Sequence, residues 1–194
     1  MMKTTGTQIR QWMRIIFPAL AYLGLRMLMR ALPGVLPHPI QGIAAATLLL
    51  ALFAFLYQKQ SGRLTVKPES HISLILLYAV TGTAAGFLVS RIAVQHLSAG
   101  IRAYESVWTV CLLAPCCEEI VFRGLVYDAA ESGSSETTAV IISTLLFAAG
   151  HSTLPQMLWA IPVGTGLGLI RKKESGPLIP AMVHCMINLG AWIA

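Results

Sequence analysis

Charge is what this sequence has least of. Only 11% of its 194 residues are Asp, Glu, Lys or Arg, under half of the roughly 25% that soluble domains carry. That scarcity excludes an ordinary soluble domain. With 56% hydrophobic residues and a mean hydropathy of +0.70, the chain reads as an all-α integral membrane protein forming a single membrane domain over 1–194. Negative charge is scarcer still, with 8 acidic against 14 basic residues and a net charge of +6. The basic excess falls in short clusters between apolar runs, as the positive-inside rule expects of cytoplasmic loops. The bilayer is therefore the expected partner, not nucleic acid. CxxC spacing is missing among Cys111, Cys116, Cys117 and Cys185, all of which lie within apolar segments, so neither a disulfide framework nor a zinc ribbon is expected. HExxH is absent too. No internal repeat or pair of matching halves supports a transporter.

What is present is a series of apolar segments near the length of about 20 residues that a spanning helix needs. They run 15–33, 40–57, 71–90, 105–127, 137–150, 155–170 and 177–193, punctuated by Pro and Gly clusters at 33–39, 61–63, 131–135 and 174–177. Arg26 and Arg30 interrupt the first segment at i, i+4. It reads as a tilted span with snorkelling arginines or as an interfacial helix, giving seven spans or six. With seven, Lys3, Arg10, Arg14, Lys59, Arg63, Lys67, Arg171, Lys172 and Lys173 share one side with the N-terminus. Arg91 and Arg102 lie on the other, which places the N-terminus in the cytoplasm and the protein in the cell membrane.

Against this background, the run 107–126 holds three intruders, Glu118, Glu119 and Arg123. Each ionised group at a helix centre costs roughly 2.5 to 3.5 kcal/mol. Glu119 and Arg123 stand at i, i+4 with the acid first, the favoured order for an ion pair. Glu118, about 100° away around the helix, lacks that partner and is the candidate general base. The bland reading makes the pair a structural clip and Glu118 a hydrogen-bonded core residue. Further polar groups appear at His151, which ends an apolar helix, and at His184 and Asn188, one turn apart on another. Counting 1.5 Å per residue from the cytoplasmic helix ends puts Glu118 about 13 Å and His184 about 10 Å deep, so both can share one layer. His151 comes out deeper, at about 21 Å. Cys116 and Cys117 could supply a thiol nucleophile but read better as small packing residues. Close helix packing likewise explains the run GTGLGL at 164–169.

Taken together, EExxxR at Glu118, Glu119 and Arg123 with its flanks AP and FRG, FxxxH at Phe147 and His151, and HxxxN at His184 and Asn188 resemble the CAAX protease and bacteriocin-processing group of intramembrane endopeptidases. The resemblance covers about 105–193; residues 1–104 match only as hydrophobic helices. It implies a helical membrane fold with a polar cavity toward the cytosol. Glu118 would activate a water for attack on a peptide carbonyl, with His151 holding that water. His184 and Asn188 would stabilise the oxyanion, while Glu119 and Arg123 orient the site. The scheme needs no metal or other cofactor. The substrate would be a membrane-associated peptide or protein. The alternative is a non-catalytic immunity or regulatory protein on the same fold.

Overall fold

The computed structural model describes residues 5–31, 38–61, 71–93 and 106–194, and every element among them is a helix. In chain order they are α1 (Thr5–Ala31), α2 (His38–Ser61), α3 (Ile72–Ala93), α4 (107–131), α5 (Glu136–Ala149), α6 (Leu154–Lys173) and α7 (Leu178–Ile193). Each apolar segment read from the sequence has become one of these helices, and the clusters at 131–135 and 174–177 mark the breaks flanking α5 and α6. Of the other predicted turns and loop charges, positions 33–37 and 62–63 with Lys3, Arg63, Lys67 and Arg102 lie outside the described residues. Local chemistry sets two of the starts. Ser135 and Thr153 turn their side chains back to accept from the backbone N–H of Thr138 and Gln156, satisfying donors that the first turn of a helix leaves open.

The first segment differs from expectation. The helix begins at Thr5, ten residues ahead of the apolar run (15 − 5), because the polar stretch before Ile15 contains no proline to stop it. Gly6–Met29 and Ile40–Ser61 are both long and apolar enough to cross a bilayer, while Ile72–Leu88, Glu136–Ala149 and Leu178–Ile193 form shorter apolar helices. Their outer faces expose Phe17, Leu20, Phe55, Leu76 and Val80.

α4 lies at the centre, with Ile120 through Tyr127 all buried. It is not a uniform α-helix. Thr109–Leu113 and Ile120–Val126 are wound as π-turns, the wider form that appears mostly at functional sites. In the first, the Ala114 N–H bonds to the Thr109 carbonyl, and residue 115 is a proline with no N–H to offer. The Val110 carbonyl therefore has no donor along the helix, and the side chain of Asn188 on α7 supplies one at 2.9 Å. In the second, the Tyr127 N–H bonds to the Phe122 and Gly124 carbonyls and passes over that of Arg123. Nε of Arg171 on α6 takes it at 2.9 Å. A later helix thus fastens to each π-turn through the carbonyl released there.

Arg171 corrects the sequence reading, which placed it among the loop cations. It is only 4% exposed. Its other nitrogens bond to the Glu174 carbonyl at 2.7 Å and Asp128 Oδ1 at 2.6 Å, and its guanidinium lies over the Tyr127 ring. Lys172, one residue on, behaves as expected and stays half in solvent, 3.3 Å from Glu136.

Glycines bring the remaining helices together. Gly82 and Gly86 on α3 form a GxxxG step, the small-residue pattern that lets helix backbones approach, and α7 crosses it at Gly190. A Cβ on Gly190 would collide with the carbonyl oxygen of Thr83, whereas one on Gly166 would meet nothing within 4 Å. Gly190→Ala is thus expected to cost about 1–3 kcal/mol, the usual range for overpacking. Gly166→Ala should be neutral or gain up to about 1 kcal/mol from helix propensity. Thermal melting of the two purified proteins in one detergent checks the difference.

Candidate active site

Glu118 and Glu119 sit at the end of the α-helical stretch of α4 that precedes its second π-turn, both buried. They face different neighbours. Glu119 Oε1 accepts from Arg123 Nη1 at 2.9 Å and from His184 Nδ1 at 2.8 Å. Arg123 is fully buried, and its Nη2 donates to the Gly164 carbonyl at 2.9 Å. Gly164 lies where a Cβ would stand 3.2 Å from that nitrogen and 3.1 Å from the Phe147 ring. The glycine run is thus the packing surface expected of it, at Gly164 and also at Gly168, where a Cβ would press on Val140 at 3.0 Å.

Phe147 is the hub of this arrangement. Its ring makes edge-on contacts with His151 (5.0 Å between centroids), His184 (5.5 Å) and Phe122 (5.6 Å), and carries the Arg123 guanidinium 4.5 Å above it. One apolar ring therefore fixes both histidines and the buried cation. His151, half-buried, has Nδ1 3.1 Å from the Phe147 carbonyl. A carbonyl only accepts and an ionised carboxylate only accepts, so Nδ1 bears the hydrogen in His151 and in His184 alike. When the ring is neutral, Nε2 is left with a lone pair.

Glu118 corrects the expectation that it lacks a partner. Its Oε1 accepts from Tyr22 Oη at 3.1 Å and Arg26 Nη1 at 3.0 Å, both from α1. Among the described residues, no hydrogen bond reaches its Oε2. Arg26, expected to snorkel toward the interface, instead turns inward with a side chain still 32% exposed. Of the six residues singled out in the sequence, Glu118, Glu119, Arg123 and His184 form one connected group, and both His151 and His184 lie within electrostatic reach of Glu118. Asn188 reaches the Val110 carbonyl. Sequence reading missed Tyr22 and Arg26 as parts of this group. The available signal was a cation one turn from a tyrosine inside an apolar segment, the same anomaly that drew attention to Arg123.

Cys117 is buried and Cys116 half-buried, with the Cys116 sulfur 3.8 Å from that of Cys185.

Residues 100–190 match the family model described as Rce1-like, type II CAAX prenyl endopeptidase. The chain carries an Rce1-like domain. Its limits take in α4, α5 and α6 and most of α7, and with them every residue of EExxxR, FxxxH and HxxxN. Tyr22 and Arg26 fall outside it. The Rce1-like family consists of membrane proteins of the CAAX-type intramembrane protease class, which the two long apolar helices fit. No curated protein and no solved structure matches the chain.

Proposed function

We propose that the protein is an intramembrane endopeptidase that cuts a membrane-associated peptide or protein with a water activated by Glu118. The observation that carries this reading is the division of labour within the Glu118 carboxylate. Oε1 is held by two donors, and Oε2 is unpartnered beside two histidines. Oε2 takes one proton from the water as its oxygen adds to the peptide carbonyl carbon, and the carbonyl electrons move to oxygen. The Nε2 lone pair of His151 accepts the water's second hydrogen and aims the nucleophile. When the intermediate collapses, the C–N bond breaks and the leaving amine takes the proton back from Glu118. His184 is steadied by Glu119, as a buried carboxylate steadies an imidazole that acquires charge during catalysis. Once protonated on Nε2, it stabilises the oxyanion, the term that usually contributes most.

Asn188 has two amide hydrogens, one of which is committed to Val110. The second is assigned to the oxyanion. Asn188→Ala is then expected to lower kcat about 10²- to 10³-fold with little change in KM. If the side chain serves only to cap the π-turn, melting temperature falls and kcat does not. The cavity opens toward the cytosol in this reading, with the N-terminus on that side of the cell membrane, as the distribution of basic residues supports.

The reading is tested by comparing, by mass spectrometry, the membrane peptides of cells that produce the parent protein with those of cells that produce Glu118→Gln. Peptides cut only in the first population support an endopeptidase and identify its substrate. Identical peptide sets would leave the protein as a non-catalytic partner.

A further inference from the structure

The face that α1 turns to the core carries Ile15, Ala19 and Tyr22, all 2% exposed, and then Arg26. Their spacing of four, three and four residues keeps them on one stripe of the helix. Tyr22 has little freedom there. Its ring packs edge-on against Phe53 at 5.8 Å and Phe122 at 6.1 Å, so packing fixes the direction of its hydroxyl. Arg26, one turn on, brings a charge-assisted donor to the same carboxylate oxygen. Two donors on one oxygen do more than neutralise a buried charge. They fix the plane of the carboxylate, which a single contact would leave free to rotate.

We infer that Tyr22 and Arg26 are positioning residues of the catalytic machinery, holding Glu118 by Oε1 so that Oε2 faces the reacting water. The inference rests on the reading of Glu118 as the base, and it extends the working site to α1, beyond the Rce1-like domain. A purely structural role predicts something different. Arg26 would then offset the charge of Glu118, and its loss would lower stability without altering how the carboxylate is held.

Two readouts on Arg26→Gln, Arg26→Lys and Tyr22→Phe separate these roles, with Glu118→Gln as the reference. The first is the Glu118 carboxylate stretch, isolated as the infrared difference between the parent and Glu118→Gln. The second is kcat and KM on the peptide most strongly cut in the membrane-peptide comparison. Arg26→Gln is expected to move the carboxylate band and lower kcat about a hundredfold, the scale of a small misplacement of a catalytic group, with KM within about twofold. Arg26→Lys should recover about tenfold of that loss, since it restores a cationic donor. Tyr22→Phe, which removes one neutral hydrogen bond, should lower kcat about fivefold to tenfold. An unmoved band with parental kcat in melted-down variants overturns the inference in favour of a structural role. A rise confined to KM overturns it in favour of Arg26 binding the substrate directly. Full activity in Glu118→Gln defeats the endopeptidase mechanism instead, and the carboxylate band of the other variants then decides alone whether α1 holds Glu118.

Discussion

Glu118→Gln is expected to yield a protein that inserts and folds like its parent and cuts nothing. The substitution preserves shape and leaves an amide oxygen where Tyr22 Oη and Arg26 Nη1 now donate to Oε1. Arg26 loses a counter-ion, but nearly a third of its side chain is exposed, so solvent can compensate its charge. The base is gone, however. An amide cannot take a proton from water at neutral pH, and loss of a general base alone typically costs 10² to 10⁴ in rate. Turnover is expected at the far end of that range, about 10⁴-fold down. Product formation by the purified protein, with its melting temperature measured alongside, checks both halves. Parental turnover in a well-folded Glu118→Gln protein would sink the glutamate mechanism.

Glu119→Ala should fail differently, at the level of the protein itself. Arg123 is fully buried, and without Glu119 the Gly164 carbonyl and the Phe147 ring are its remaining contacts at that end. Breaking a buried pair by removing one partner commonly costs about 3–5 kcal/mol, a large share of the roughly 5–15 kcal/mol that stabilises a typical protein. His184 loses its Nδ1 acceptor at the same time. Low abundance and low activity are therefore expected together. The double substitution Glu119→Leu with Arg123→Met separates the two. Replacing a buried ion pair with apolar side chains is often neutral or stabilising, so abundance should return while activity does not, because His184 remains unanchored. Recovered activity in the double variant would reduce Glu119 and Arg123 to a clip.

The contrast between these two acids is partly legible in the sequence. The i, i+4 spacing of Glu119 and Arg123 within an apolar run identifies their pairing directly, since no other arrangement so readily makes two such charges tolerable there. The seven helices are legible for a related reason: apolar length and Pro–Gly punctuation are local signals. The partners of Glu118 are not. Tyr22 and Arg26 are 96 and 92 residues away along the chain, and nothing local says which way α1 is rotated. Arg171 misleads because KK follows it, and a run of three cations looks like a loop when only its first member turns inward. The irregular winding of α4 is invisible as well. Pro115 removes a donor, but which carbonyl that orphans depends on whether the turn ahead of it is α or π.

That winding has a consequence for how the chain can change. A π-turn amounts to one residue inserted into a regular helix, and in an α-helix one residue corresponds to about 100° of rotation. Deleting any single residue from 109–113 and closing the turn to α register would swing everything downstream on α4 by about that angle relative to its start. Glu118 would no longer share a face with the turn that Asn188 caps. A deletion within 120–126 would leave the glutamates in place and rotate Asp128 away from Arg171. Point substitutions along α4 can be absorbed one side chain at a time, but a one-residue change in its length cannot. The helix behaves as a fixed-count ruler from residue 107 to residue 131, tolerant in spelling and intolerant in number.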